Sequence, residues 1–214
     1  MSQNADLFRV DMGEMLVSTA LRLSDEFQGV FGLATIERFL HESFEELEAQ
    51  GSVSRFTPLI AERKARESLR DIVRGGQQVL DVHHVLFIGS NGGGRASIAA
   101  AMLDHLTPGD VHVCAVGTRP AESVDPLAVQ VLAEVGIVVP DTHLTPQGWD
   151  DAQVVASDVV VTLGSGACPL VYGHRYEDWS AGAPLGRTID EARATCQDVS
   201  ERVMSLAHDL GLAA

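Results

Sequence analysis

One stretch constrains this chain more than any other. A strand-length apolar run, Val82–Ile88, passes directly into Gly89-Ser90-Asn91-Gly92-Gly93-Gly94-Arg95 and then into an alanine-rich helix, Ala96–Leu106. A strand, a glycine-rich loop and a helix in that order form the unit from which parallel sheets covered on both faces are built. Four glycines among the six residues Gly89–Gly94 let the backbone curl with its N–H groups turned inward over the helix N-terminus. Such a concavity attracts a tetrahedral oxyanion, and Arg95 can add a bidentate contact. The plainer reading is a tight strand–helix turn, but a turn alone has no need of an arginine there. No Lys-Ser/Thr pair follows the last glycine, so this is not a nucleotide P-loop. A dinucleotide fingerprint fails as well, since the glycine register is wrong and no acidic residue ends the next strand. No cofactor is expected.

Strand and helix signals alternate through the rest of the C-terminal part. Strands are predicted at Val111–Val116, Asp158–Leu163 and Arg175–Trp179, and helices at Pro126–Val135 (closed by Gly136) and near Gln147–Ala156. The chain ends on a long amphipathic helix opened by a Thr188-x-x-Glu191 capping box, with Ile189, Ala192, Cys196, Val199, Val203 and Leu206 on its apolar face. The expectation is a three-layer α/β sandwich around a four-stranded parallel sheet, with ligands at the carboxyl ends of the strands. The N-terminal third is helical instead. It shows one helix over Met12–Phe27, a second opening near Thr35, and a third from Thr57-Pro58 to about Val73. Gly75-Gly76-Gln77-Gln78 reads as a linker, which divides the chain into an all-α three-helix bundle at 1–78 and an α/β domain at 79–214, each packing as its own unit. The third helix carries Arg63, Lys64, Arg66, Arg70 and Arg74 among Glu62, Glu67 and Asp71. This face either binds something acidic or is a solvated or dimer-facing surface laced with i,i+4 pairs.

With 214 residues, 45 % of them hydrophobic, the chain can build a full core. Thirty Asp and Glu against fifteen Lys and Arg give a net charge of −15, which disfavours nucleic acid and anionic lipid as general partners but permits a local basic pocket. Apolar runs are too short to span a membrane and the N-terminus shows no secretory pattern, so a cytoplasmic location is expected. The three cysteines, Cys114, Cys168 and Cys196, show no CxxC and no ligand spacing with histidine, so neither a disulfide framework nor a metal site is expected. Buried reduced thiols are the ordinary reading for Cys114 and Cys196. His83 and His84 point to opposite faces of a strand and cannot share one metal, and His112, His143 and His174 show no ligand spacing.

Here a resemblance becomes specific. The Gly89–Arg95 loop resembles the oxyanion loop of the low-molecular-weight tyrosine phosphatase fold, and more closely its thiol-dependent arsenate reductase branch, whose loop reads Cys-x5-Arg. Ala115-Val116-Gly117-Thr118-Arg119-Pro120 is similar to the family's SAGSxP stretch, and Ala133-Glu134-Val135-Gly136-Ile137 to its AEVGI. Val161–Pro169 with Arg175-Tyr176-Glu177-Asp178-Trp179 resembles its TMGCGDACP…RYEDW. Val30-Phe31, Thr35–Phe39 and Pro58–Arg63 resemble the three-helix extension of actinobacterial arsenate reductases. The likeness spans almost the whole chain and implies the fold.

What it implies about chemistry is different. In that family a loop cysteine attacks the oxyanion, a serine after the arginine supports the thiolate, and an aspartate in a DPxG turn protonates the leaving oxygen. Matching Arg95 to the family arginine puts Gly89 at the nucleophile, Ala96 at the serine and Ala183 at the acid. The first redox cysteine is replaced by Ser165, the loop there is one residue shorter, and only Cys168 remains as a possible redox remnant. Ser90 neighbours the nucleophile position but has no adjacent base. The resemblance therefore implies a catalytically degenerate member with an oxyanion loop, Gly89 through Arg95, for phosphate, sulfate or arsenate, acting by anion binding or protein association. Two alternatives stand beside it: an active arsenate reductase or phosphatase with a non-standard nucleophile, and a ligand-free interaction protein working as a homodimer.

Overall fold

A computed structural model describes residues 2–49, 57–76, 84–89, 94–118, 124–140, 147–148, 150–164, 168–171, 173–179 and 188–212. Three helices come first, α1 (Ser2–Glu26), α2 (Leu33–Ala49) and α3 (Thr57–Gly76). The alternating part follows as β1 (His84–Gly89), α4 (Gly94–Leu106), β2 (His112–Gly117), α5 (Pro126–Glu134), β3 (Gln147–Gly148), α6 (Asp151–Val155), β4 (Val159–Leu163), β5 (Arg175–Asp178) and α7 (Ile189–Asp209). Every pairing is parallel, in the order β3-β2-β1-β4-β5. The four expected strands are all present. Two-residue β3 is an addition at the edge, where a helix was expected to begin at Gln147. That helix starts four residues later because Asp150 caps it, its carboxylate accepting the Gln153 N–H at 2.9 Å while the Gln153 side chain accepts the Asp150 N–H. The Thr188/Glu191 capping box of α7 forms as expected.

Alternation along the strands divides the core in two. Val85 and Phe87 of β1, with Val113, Val159, Val161 and Leu163, face α4, α5 and α7. Alanines at 96, 99, 100 and 101 let α4 lie close on this face, and Phe87 packs against Trp179 with ring centroids 5.7 Å apart. Leu86, Ile88, Val116 and Val160 point the other way and share a single cluster with Leu16, Leu23, Phe31, Ile36, Leu40, Leu69 and Ile72 of the N-terminal helices. Rather than packing as a unit apart from the sheet, those helices form its second covering layer. The boundary expected at residue 78 lies outside the described residues, but Gly75 and Gly76 do not form a linker: they complete the last turn of α3, where Gly76 is buried.

The basic face of α3 is paired. Arg63–Glu67 and Arg66–Glu62 are i,i+4 pairs, and Arg66 and Arg70 both reach Glu26 at the end of α1, at 2.9 and 2.6 Å. Lys64 pairs with Glu46 of α2, and Arg22 of α1 joins Arg66 on the largely buried Glu62. Much of the charge run thus ties the three helices together. No described helix is long and apolar enough to cross a membrane.

Candidate functional site

The strand order reverses direction between β1 and β4: the chain leaves β1 toward β2 and β3, then returns to the far side of β1 as β4 and β5. In parallel sheets the crevice that binds ligands opens at this reversal, beyond the carboxyl ends of the strands. Gly89 ends β1 there, buried, between Gly117 and Leu163 in the register, and its carbonyl accepts the Thr118 N–H at 3.0 Å. Gly94 and Arg95 open α4, so the first helical N–H groups and the positive end of the helix dipole point at the crevice. Ser90, Asn91, Gly92 and Gly93 lie outside the described residues.

Arg95 spans the reversal. Its Nη2 donates to the Leu163 carbonyl at 2.9 Å, which fixes a half-buried guanidinium between the ends of β1 and β4. Burial lowers its pKa from the usual arginine value, opposed by the carboxylates of Asp198 and Asp178 and reinforced by Arg202. It nevertheless stays charged at any physiological pH. A partly desolvated cation at a helix N-terminus can receive an anion with little reorganisation.

Cys168, the possible redox remnant, sits elsewhere in character. It is 3 % exposed, and Thr35 of α2 covers it: Thr35 Oγ1 accepts the Cys168 N–H at 3.1 Å and stands 3.6 Å from Sγ. Burial pushes its thiol pKa up, only partly opposed by the Thr35 hydrogen bond. Ser165 and Ala183, matched to the family's first redox cysteine and acid, lie outside the described residues.

Two features of this end of the sheet were not visible in the sequence reading. Asp178, the last residue of β5, accepts the Thr162 hydroxyl at 2.8 Å, and its N–H donates to the Gly29 carbonyl at 2.8 Å. The turn between α1 and α2 is thereby fastened to the strand end. The Thr35 cover on Cys168 is the second. Nothing in either local sequence signals a contact across 133 residues.

Comparison with known proteins bears on the family and the fold. Residues 16–72 match the family model described as the protein-tyrosine-phosphatase-like N-terminal domain. The chain is 31 % identical to the thioredoxin-dependent arsenate reductase of Corynebacterium glutamicum, with a TM-score of 0.54, covering 93 % of this chain and 98 % of that one. A putative arsenate reductase of Halobacterium salinarum is 27 % identical over 97 residues, which are 45 % of this chain and 67 % of the relative. A structure of an arsenate reductase in the phosphate binding state is 24 % identical, has a TM-score of 0.50, and covers 60 % of this chain and 98 % of its own.

Proposed function

The chain belongs to the arsenate reductase family of the low-molecular-weight tyrosine phosphatase fold, and from that premise we propose that it is a catalytically degenerate member that keeps the oxyanion loop as a binding site. One observation carries the reading. All three cysteines of the chain, Cys114, Cys168 and Cys196, lie off the Gly89–Arg95 loop, and burial raises the pKa of each thiol. Thiol chemistry on an oxyanion needs a thiolate at the loop. Gly89 supplies no side chain there. Arg95 and the amides of the α4 N-terminus remain, and they stabilise a bound anion without a covalent step.

A hydrogen at the nucleophile position also removes a negative charge from the floor of the cradle, which favours an incoming anion because like charges no longer meet. Against this, each added glycine widens the unbound ensemble, at up to about 1 kcal/mol per residue relative to alanine. The balance favours weak binding, with Kd around millimolar, or on the order of −4 kcal/mol. The test assays pure protein with arsenate and a thioredoxin reducing system, with an aryl phosphate, and by titration with sulfate and arsenate. No turnover, together with saturable anion binding that depends on Arg95, is the expected outcome. Robust turnover that survives Cys168→Ala and dies with Arg95→Ala would overturn the degenerate reading.

A further inference from the structure

One buried polar atom lacks a partner, and its residue lines a cavity. β5 is an edge strand of the sheet, and a cleft of about 440 Å3 runs beside it, bounded by the turn after α1, the end of α3 and the end of α7. His174, just before β5, stands in its wall. His174 Nε2 lies 3.3 Å from the Val155 carbonyl, which can only accept, so in the neutral ring Nε2 carries the proton and Nδ1 is an acceptor. Nδ1 is buried with no hydrogen-bond partner, the one side-chain nitrogen or oxygen among the described residues in that condition. Buried acceptors in folded proteins are nearly always answered, so this one calls for a donor from outside the chain.

The rest of the lining says what kind of donor fits. Glu177 and Asp209 bring two carboxylates, and Arg175 is the only cation among the lining residues, its Nη2 2.7 Å from Glu177 and 3.1 Å from Asp209. One negative charge is left over. α3 and α7 both end at the cleft, at Gly76 and Asp209, so the negative ends of two helix dipoles add to it. The remaining walls are apolar, with Val30, Val73 and Leu210, and the rings of Phe31, Tyr176 and His174 follow one another at 5.4 and 6.3 Å between centroids. A bare metal ion does not suit these walls, since no three His, Cys, Asp or Glu groups among the described residues are arranged to hold one.

We propose that this cleft binds a small organic monocation, a primary ammonium on an aromatic or aliphatic body. The ammonium supplies both things the walls lack: a positive charge beside the carboxylates and an N–H for His174 Nδ1. The body covers the apolar walls, as small-molecule sites join apolar surface to a few convergent polar groups. A quaternary ammonium carries the same charge but has no N–H, so the orphaned nitrogen discriminates between the two. The cleft flanks β5 at the sheet edge, whereas the anion loop follows β1, two strands away, so this site and the anion loop stand or fall separately.

The test titrates the full chain with benzylamine, protonated at neutral pH, and with benzyltrimethylammonium, following heat and the amide resonances of Arg175, Tyr176 and Glu177. Benzylammonium should bind saturably and shift those resonances. The trimethylated analogue should bind roughly tenfold more weakly, the worth of one hydrogen bond from a charged donor. Asp209→Asn should weaken benzylammonium binding about threefold, as removal of a half-exposed charge does. His174→Phe keeps a ring in the wall but loses the acceptor, and should narrow the gap between the two ligands. Asp190→Asn, at the far end of α7, should change nothing. No saturable binding, equal binding of the two ligands by the wild type, or binding that leaves the resonances of Arg175–Glu177 in place overturns the proposal. Should His174→Phe fail to fold, Asp209→Asn still decides, because an unchanged benzylammonium affinity there overturns the site.

Discussion

Thr35 and Cys168 are joined twice, the threonine oxygen accepting the cysteine N–H at 3.1 Å and lying 3.6 Å from its sulfur. The contact links the first turn of α2 to the segment after β4, so an N-terminal helix holds the one thiol that the family resemblance retains at a redox position. A cysteine so covered is a structural element, and its chemistry is governed by how often the cover opens.

Replacing Thr35 by Val removes the acceptor and leaves a buried N–H without that partner, at a cost of about 1–3 kcal/mol. Urea melts of Thr35→Val should show this loss, and alkylation of Cys168, followed by peptide mass, should accelerate. Thr35→Ser, which keeps the oxygen, should stay near wild type on both readouts. Unchanged labelling in Thr35→Val would mean that something other than this hydroxyl protects the thiol.

Arg95 separates the anion site from mere architecture. Arg95→Ala should remove the sulfate- and arsenate-dependent shifts of loop resonances, while costing about 1–3 kcal/mol of stability through the lost Leu163 carbonyl partner. Arg95→Lys keeps the charge but loses the planar fork, and should bind more weakly than wild type. In the wild type, binding should fall as salt rises and the Debye length shrinks to about 8 Å near 0.15 M. Equal sulfate binding by Arg95→Ala and wild type would leave the loop without an anion-binding role.

The strands, the capping box of α7 and the glycine-to-arginine loop were legible because each is written locally, in period, in capping residues or in turn chemistry. What the sequence hid is what register creates. His84 and His112 lie 28 residues apart and become neighbours only because β1 and β2 pair His84 with His112. The docking of the N-terminal helices was hidden for a related reason. Leu86 and Ile88 read as apolar in any parallel sheet, and nothing in them says whether local crossover helices or a distant segment will cover that face. Gly75 and Gly76 misled in the opposite sense, since two adjacent glycines suggest a linker while here they end a helix against a strand.

Acid stability should report the α1–α3 contact. Hydrogen bonding to Arg66 holds the Glu26 carboxyl below its usual value of 4.5, with Arg70 acting in the same direction and burial opposing. A carboxyl with a lowered folded pKa stabilises the fold above its unfolded pKa, and that stability drains away as pH falls through the folded value. Urea midpoints of the wild type should therefore drop as pH falls below about 4.5. Glu26→Gln should start lower at pH 7 and lose less over the same range. Parallel pH profiles for the two proteins would remove Glu26 from the account.

Gly76 gives the sharpest test of how α3 meets the sheet. A Cβ there would stand 2.3 Å from the His174 carbonyl oxygen and 2.9 Å from Arg175 Cα. Both are backbone atoms at the start of β5 and cannot swing aside as a flexible side chain does. Gly76→Ala must therefore push the end of α3 off the strand, costing about 1–3 kcal/mol as overpacking does. Helix propensity pulls the other way, since alanine gains up to about 1 kcal/mol over glycine inside a helix. The clash should win, and the variant should melt below wild type. Gly13→Ala in α1 provides the contrast, because its Cβ would meet nothing within 4 Å and only the propensity gain remains. A stabilised Gly13→Ala beside a destabilised Gly76→Ala places the last turn of α3 against β5. Equal stabilisation of both would show that α3 ends free of the strand.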